Sequence, residues 1–147
     1  MALKALNTVV WVSVGVISLG GVGVVVETWQ ARSVWDGIYT QEQAERGEPF
    51  YQESCAECHG SDLSGGETAP GLDGGEFVWN WNGLSVGDLF ERLRVSMPQG
   101  VPSSVSRREK ADILAFLLEA NGFPAGDTEL ANRTNMLNGI SFLAQEP

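Results

Sequence analysis

The chain has 147 residues, is 43% hydrophobic, and carries a formal net charge of −10 from 19 acids against 9 bases. That length allows one domain with at most a short appendage, and the acidic balance argues against nucleic acid, whose phosphates need basic patches. Its 18 glycines predict many loops and tight turns, while the acids give either plain solubility or a face for a basic partner.

Lys4 is the only charge before Glu27, and Val9 to Val26 is eighteen residues without a charged side chain. As a helix this stretch spans about 27 Å, close to the roughly 30 Å hydrocarbon core of a bilayer. It exceeds the roughly 7–15 residues of a signal-peptide core, and Trp29-Gln30-Ala31 puts a bulky residue where cleavage prefers a small one. Residues 1–26 are therefore expected to be an export signal, either removed or kept as a membrane anchor through residues 9–26. Residues 27–39, with Trp29, Trp35, Gly37 and Tyr39, read as an extended lead-in or linker.

Thr40 to Gln43 has the pattern of a capping box that opens a helix. Gly47 and Pro49 then predict an interruption, with a short turn to Arg46 and a second helical piece from Pro49 into Cys55. Phe50, Tyr51 and Cys55 share the inner face of that piece. The run Cys55-Ala56-Glu57-Cys58-His59 holds both cysteines and the only histidine. Cys-x-x-Cys-His is the attachment pattern of c-type haem. Two sulfurs one turn apart reach the two vinyl groups, and the histidine that follows offers an imidazole nitrogen to iron. A redox dithiol needs no adjacent histidine and sits beside a βαβ pattern, which is absent. A structural zinc site needs four ligands of this kind, and the window holds three. A disulfide between cysteines so close would be strained and would close almost no loop. Haem attachment is the reading that remains.

Residues 60–75, with six glycines and Pro70, are predicted to be loop. Trp79 and Trp81 follow; either can wall a haem crevice or donate its indole N–H to a propionate, and either can simply pack. Ser85 to Asp88 is a second capping box, and Val86, Leu89, Phe90 and Leu93 form an amphipathic stripe with Arg92 and Arg94 off it. That helix is expected to end at Ser96-Met97-Pro98. With no second histidine, a sixth iron ligand would have to be a thioether, a soft neutral donor. Met97 lies 38 residues after His59; Met136 and an open iron are the alternatives. Ser106 to Glu109 is a third capping box, opening a helix whose face carries Ala111, Leu114, Ala115 and Leu118 as far as Gly122. Residues 124–147 read as an irregular surface tail with scattered Leu130, Leu137, Ile140, Phe142 and Leu143.

The run Cys-x-x-Cys-His-Gly, then Ala69-Pro70-Gly71-Leu72-Asp73-Gly74, then Met97-Pro98, resembles class I cytochrome c over about residues 40–122. The resemblance implies an all-α fold of three to five short helices around one covalently bound haem c, with the haem domain at 40–123. It implies that the Pro70 carbonyl accepts a hydrogen bond from His59, that Leu72 packs on the haem face, and that Met97 is the distal ligand. The implied cofactor-binding set is Cys55, Cys58, His59, Pro70, Leu72, Trp79, Trp81 and Met97, with His59 and Met97 on the metal. Covalent attachment in this family is completed outside the cytoplasm, which places the chain in the periplasm or on the outer face of the cytoplasmic membrane. Ser33 to Gly47 is also similar to the entry of single-haem cytochromes that accompany bacterial dehydrogenases. The implied function is carriage of one electron between a donor and an acceptor, each a dehydrogenase, an oxidase or another cytochrome, with no substrate chemistry. Two alternatives stand beside it: a five-coordinate haem enzyme or gas sensor if Met97 does not bind iron, and a fixed cytochrome subunit of a membrane redox complex.

Overall fold

Two helices crossing at a glycine set the frame. The computed structural model describes residues 32–147; the apolar segment 1–26 and Trp29 lie outside the described residues. Helix α1 (Gln41–Ser54) starts where Thr40 Oγ1 accepts the Gln43 N–H at 3.2 Å. The return half of that capping box is not made. The Gln43 side chain is buried and turned toward the C-terminal residues, where it donates to the Leu130 carbonyl at 3.1 Å and accepts the Leu130 N–H at 2.6 Å.

The interruption expected at Gly47 and Pro49 does not occur, and α1 is continuous. A proline inside a helix costs about 3 kcal/mol, so something must offset it. Gly47 is the contact point of α1 with α5 (Arg107–Ala120): a Cβ there would collide with the Asp112 carbonyl. Arg46, one residue earlier, reaches Asp112 at 3.2 Å and Glu129 at 2.7 Å. Close backbone approach and this ion-pair bridge hold α1 against α5 through the proline.

The remaining helices are α2 (Ala56–His59), α3 (Gly74–Trp81), α4 (Val86–Ser96) and α6 (Thr134–Leu137), with a 3₁₀ turn at Pro102–Ser104. The fold is all-α as expected, with α2 and α6 only four residues each. The capping boxes Ser85–Asp88 and Ser106–Glu109 are both complete. Hydrogen bonds from Ser85 hold the Asp88 carboxyl below the usual carboxylate range.

The C-terminal residues depart furthest from expectation. Instead of lying irregularly on the surface, residues 124–147 complete the core. Strand β1 (Arg32–Ser33) pairs in parallel with β2 (Ile140–Ser141), Arg32 opposite Ile140. Val34 N–H donates to the Ser141 carbonyl at 3.0 Å and Phe142 N–H to the Leu84 carbonyl at 2.8 Å. Leu130, Leu137, Ile140 and Phe142 are buried with Val34, Ile38 and Tyr39 of the lead-in. Rings stack edge-on from Trp35 to Phe123 (4.9 Å between centroids), to Phe142 (5.2 Å) and to Phe77 (6.4 Å). Tyr39 donates its hydroxyl to the Phe123 carbonyl at 2.6 Å; burial, then the Glu119 charge, pushes the phenol up to about 12. A small domain buries a limited share of its surface, so non-periodic apolar residues such as these are drawn into the core.

Candidate functional site

A cavity of about 760 Å³ lies between the end of α1, the loop after α2, α3 and the end of α4. Its wall is built of Leu72, Phe77, Trp81, Leu89, Leu93 and Leu117, and Cys55, Cys58, His59 and Met97 all open onto it. Cys55 is the hinge between α1 and α2, with φ −127° and ψ −34°. Its N–H still bonds the Tyr51 carbonyl at 2.9 Å, and its carbonyl accepts from His59 N–H at 3.0 Å. The chain thus turns at a residue whose own N–H and C=O both keep helical partners, and both sulfurs and the imidazole meet one space. Both thiols are free. Burial pushes the Cys55 thiol up to about 11 against the opposing pull of the Lys110 charge, which keeps the sulfur neutral in its apolar setting.

His59 is buried, and its Nδ1 lies 2.8 Å from the Pro70 carbonyl oxygen. A carbonyl can only accept, so Nδ1 carries the proton and Nε2 keeps its lone pair. The loop that presents Pro70 is folded back on itself. Gly65 N–H donates to the His59 carbonyl at 2.8 Å, Gly66 N–H to Ala69 at 2.9 Å, and Leu72 N–H to Leu63 at 2.8 Å. Gly65 sits at φ +86°, and a Cβ there would stand 2.5 Å from the Gly71 nitrogen. Only glycine fits both the dihedral and the approach. Tyr51 donates its hydroxyl to the Gly60 carbonyl at 2.6 Å, and Asn121 at the end of α5 donates to the Leu72 carbonyl at 2.9 Å. The Pro70 carbonyl is therefore braced from α1, from α5 and from within its loop.

Of the residues singled out from sequence, Cys55, Cys58, His59, Pro70, Leu72, Trp81 and Met97 line the cavity. Trp79 does not. It is 58% exposed, because in α3 it is two residues from both Phe77 and Trp81 and so points away from the face they share. Met97 caps α4, its N–H bonding the Leu93 carbonyl at 3.2 Å, whereas Met136 on α6 is exposed and outside the cavity lining.

Lys110 is the side chain that sequence reasoning missed. It is buried, and its ammonium donates to the Arg94 carbonyl at 3.1 Å and the Pro102 carbonyl at 2.6 Å. Burial and the Arg94 charge lower its pKa. The signal was present: position 110 is three and four residues before Ile113 and Leu114, which places a charge on the apolar stripe of α5. The local charge also differs from the average. Residues 92–110 hold five bases and one acid, and that acid, Glu109, accepts the Ser106 N–H at 2.7 Å. Arg92 and Glu76 are both exposed at the cavity wall, while Arg94 is paired with Glu91 and Lys110 is buried, so the rim near Met97 carries both signs.

Protein interiors leave few voids larger than a water molecule, and cofactor sites occupy ~300–1,000 Å³. Two free thiols, an imidazole with Nδ1 already engaged, and a thioether on an apolar wall are a donor set that fits haem c. Residues 42–117 match the family described as cytochrome c oxidase, cbb3-type, subunit III. The chain belongs to this cytochrome c family. Its cofactor is covalently attached haem c, with Cys55 and Cys58 at the attachment spacing. The chain is similar to cytochrome c-551 of Bacillus subtilis (strain 168), 34% identical over 83 residues, covering 56% of this chain and 69% of that one. It is also similar to the cbb3-type cytochrome c oxidase subunit FixP of Bradyrhizobium sp. (strain ORS 278), 25% identical over 95 residues. That match covers 65% of this cytochrome but only 30% of FixP. Among the described residues no helix is long and apolar enough to cross a membrane.

Proposed function

We propose that this cytochrome carries single electrons between redox proteins outside the cytoplasm, with His59 and Met97 as the two axial ligands. One observation carries the reading: the imidazole of His59, its Nδ1 proton held by Pro70, opens onto the same cavity as the Met97 sulfur. Haem c bound there supplies a one-electron iron couple. Cys55 and Cys58 would hold it covalently, and Leu72, Trp81 and Leu93, which line the cavity, would exclude water from it. The Pro70 carbonyl keeps His59 in the tautomer whose Nε2 is the donor, and it raises the basicity of that donor. With His59 and Met97 both holding the iron, no position would be left for a substrate. Burial and a thioether ligand favour the reduced form and raise the potential. Encounter with partners runs through the rim where Arg92 and Glu76 stand, and those local charges together with the net charge of −10 set the steering. An oxidase, a dehydrogenase or another cytochrome can serve as partner, and residues 1–26 deliver the domain to the outer face of the membrane.

The test is the optical spectrum of the purified protein, oxidised and reduced, with and without carbon monoxide. The expected result is a low-spin ferric spectrum with a weak sulfur-to-iron charge-transfer band and a reduced form indifferent to carbon monoxide. Met97→Ala should then gain carbon monoxide binding and lose potential. A variant that behaves like the parent removes Met97 from the iron and turns the reading to a five-coordinate haem enzyme or gas sensor.

The family description favours a second reading, a fixed subunit of a membrane redox complex. Extraction of the full chain in mild detergent decides it. Stoichiometric co-purification with an oxidase supports the subunit, and release as a single chain supports the shuttle.

A further inference from the structure

Met97 stands in the middle of a stretch that touches the rest of the domain through very few polar bonds. From Arg94 to Pro102 the backbone hydrogen bonds stay local: Met97 N–H to Leu93 at 3.2 Å and Val101 N–H to Pro98 at 3.2 Å. Ser96 bonds back to Arg92, and Arg94 pairs with Glu91, both within α4. Val95 and Val101 are among the most exposed apolar residues of the molecule. Among the described residues, the hydrogen bonds that tie this stretch to another helix come from a single side chain, Lys110. Its ammonium donates to Arg94 at one end and to Pro102 at the other. Lys110 lies in the first turn of α5, which the complete Ser106–Glu109 capping box holds in place. Among the described residues no carboxylate bonds it; both partners are backbone carbonyls. Such an arrangement is poor as a surface ion pair and good as a clamp, because a buried ammonium without its acceptors is strongly unfavourable.

We propose that Lys110 is the positioning residue of the Met97 loop: by bridging the two ends of residues 94–102 it sets where the Met97 sulfur stands in the cavity and slows its departure. The proposal rests on Met97 being an iron ligand. It assigns to α5, a helix that supplies neither cysteine nor axial ligand, control over whether the sixth position stays closed. Two hydrogen bonds from a charged donor are lost together when the ammonium is removed, so the open population of the loop should rise about tenfold or more.

The test uses the full-length, haem-loaded protein with Lys110→Met, which keeps the bulk of the side chain without a donor, and Lys110→Gln, which keeps one. Met97→Ala marks the fully open limit. Gln43→Ala is a control for loss of stability remote from the loop. Lys110→Met should bind carbon monoxide in the reduced state about tenfold faster than the parent and weaken the sulfur-to-iron band. Lys110→Gln should fall between, and Gln43→Ala should match the parent even if its melting temperature is lower. Parent-like carbon monoxide binding in Lys110→Met, with Met97→Ala at the open limit, overturns the proposal and leaves Lys110 a structural side chain. The same holds if Gln43→Ala accelerates binding as much as Lys110→Met. If Met97→Ala itself behaves like the parent, the ligand reading fails instead. Amide exchange at Met97 and Val101 then judges the clamp alone: faster exchange in Lys110→Met supports it and unchanged exchange overturns it. Should Lys110→Met not fold, Lys110→Gln carries the same comparison.

Discussion

Gln43 offers the sharpest test of how the domain closes on itself. The side chain is 2% exposed and makes two bonds to one residue, Leu130, satisfying both its N–H and its C=O. Gln43→Ala removes both partners and leaves two backbone groups buried without water. Each such group costs about 1–3 kcal/mol, so the loss for the two should be about 2–6 kcal/mol. For a domain of this size about 4 °C of melting temperature goes with each kcal/mol, giving a drop of about 8–24 °C. Circular dichroism of the haem-loaded protein measures the drop, and amide exchange at Leu130 locates it. A change of about 2 °C or less, with Leu130 still protected, would refute the argument that this pair closes the core. Gln43→Glu adds a check of sign. Burial against the Leu130 carbonyl raises the pKa of the new carboxyl, and only its protonated form can donate as Gln43 does. Its contribution should be complete below the unfolded value of about 4.3 and disappear as pH rises toward the folded value.

Gly47→Ala separates two opposing effects. Helix propensity alone predicts a gain of about 1 kcal/mol, whereas collision with the Asp112 carbonyl predicts a loss of about 1–3 kcal/mol; chemical denaturation should show the loss. Glu91 has its pKa lowered to about 2 by hydrogen bonds from Arg94 and then Thr134. Its folded value is depressed, so its stabilisation is present above about 4.3 and lost as pH falls toward 2. Glu91→Gln should therefore be less stable than the parent near neutrality, with the gap closing under acid; a gap that does not change with pH contradicts the assignment. Trp79→Ala should leave the absorption spectrum and the reduction potential unchanged, while Trp81→Ala, at the cavity wall, should shift at least one of them. Spectroelectrochemistry on the two variants compares them directly.

Much of the site could be read from the sequence because its chemistry is local. Five consecutive residues bring the two sulfurs and the imidazole together, and Pro70 reaches His59 through a short loop whose glycines announce the turn. Capping boxes at Ser85 and Ser106 likewise depend on four residues each. What escaped depends on distant partners. The line of α1 through Pro49 is decided by α5 at Asp112, the Gln43 side chain is taken from its own helix end by Leu130, and Trp79 differs from Trp81 only in the face it takes once Phe77 is buried. Lys110 could have been found by treating a charge on an apolar stripe as a question. The C-terminal segment could not, since Leu130, Leu137, Ile140 and Phe142 keep no single helical or strand period over enough residues to mark an element.

The pairing of Arg32 with Ile140 also has a consequence in time. On the ribosome Trp35 appears 108 residues before the Leu143 carbonyl that takes its indole N–H, and Tyr39 appears 84 residues before its acceptor at Phe123. Until then the lead-in lacks these partners and can pack only on the part of the core already made. Contacts this far apart in sequence bear the loop-closure entropy before they return any energy. The start of the domain therefore becomes native only when its end is made, and a chain cut short after Ala120 would lose order first at Val34 and Tyr39, close to its beginning.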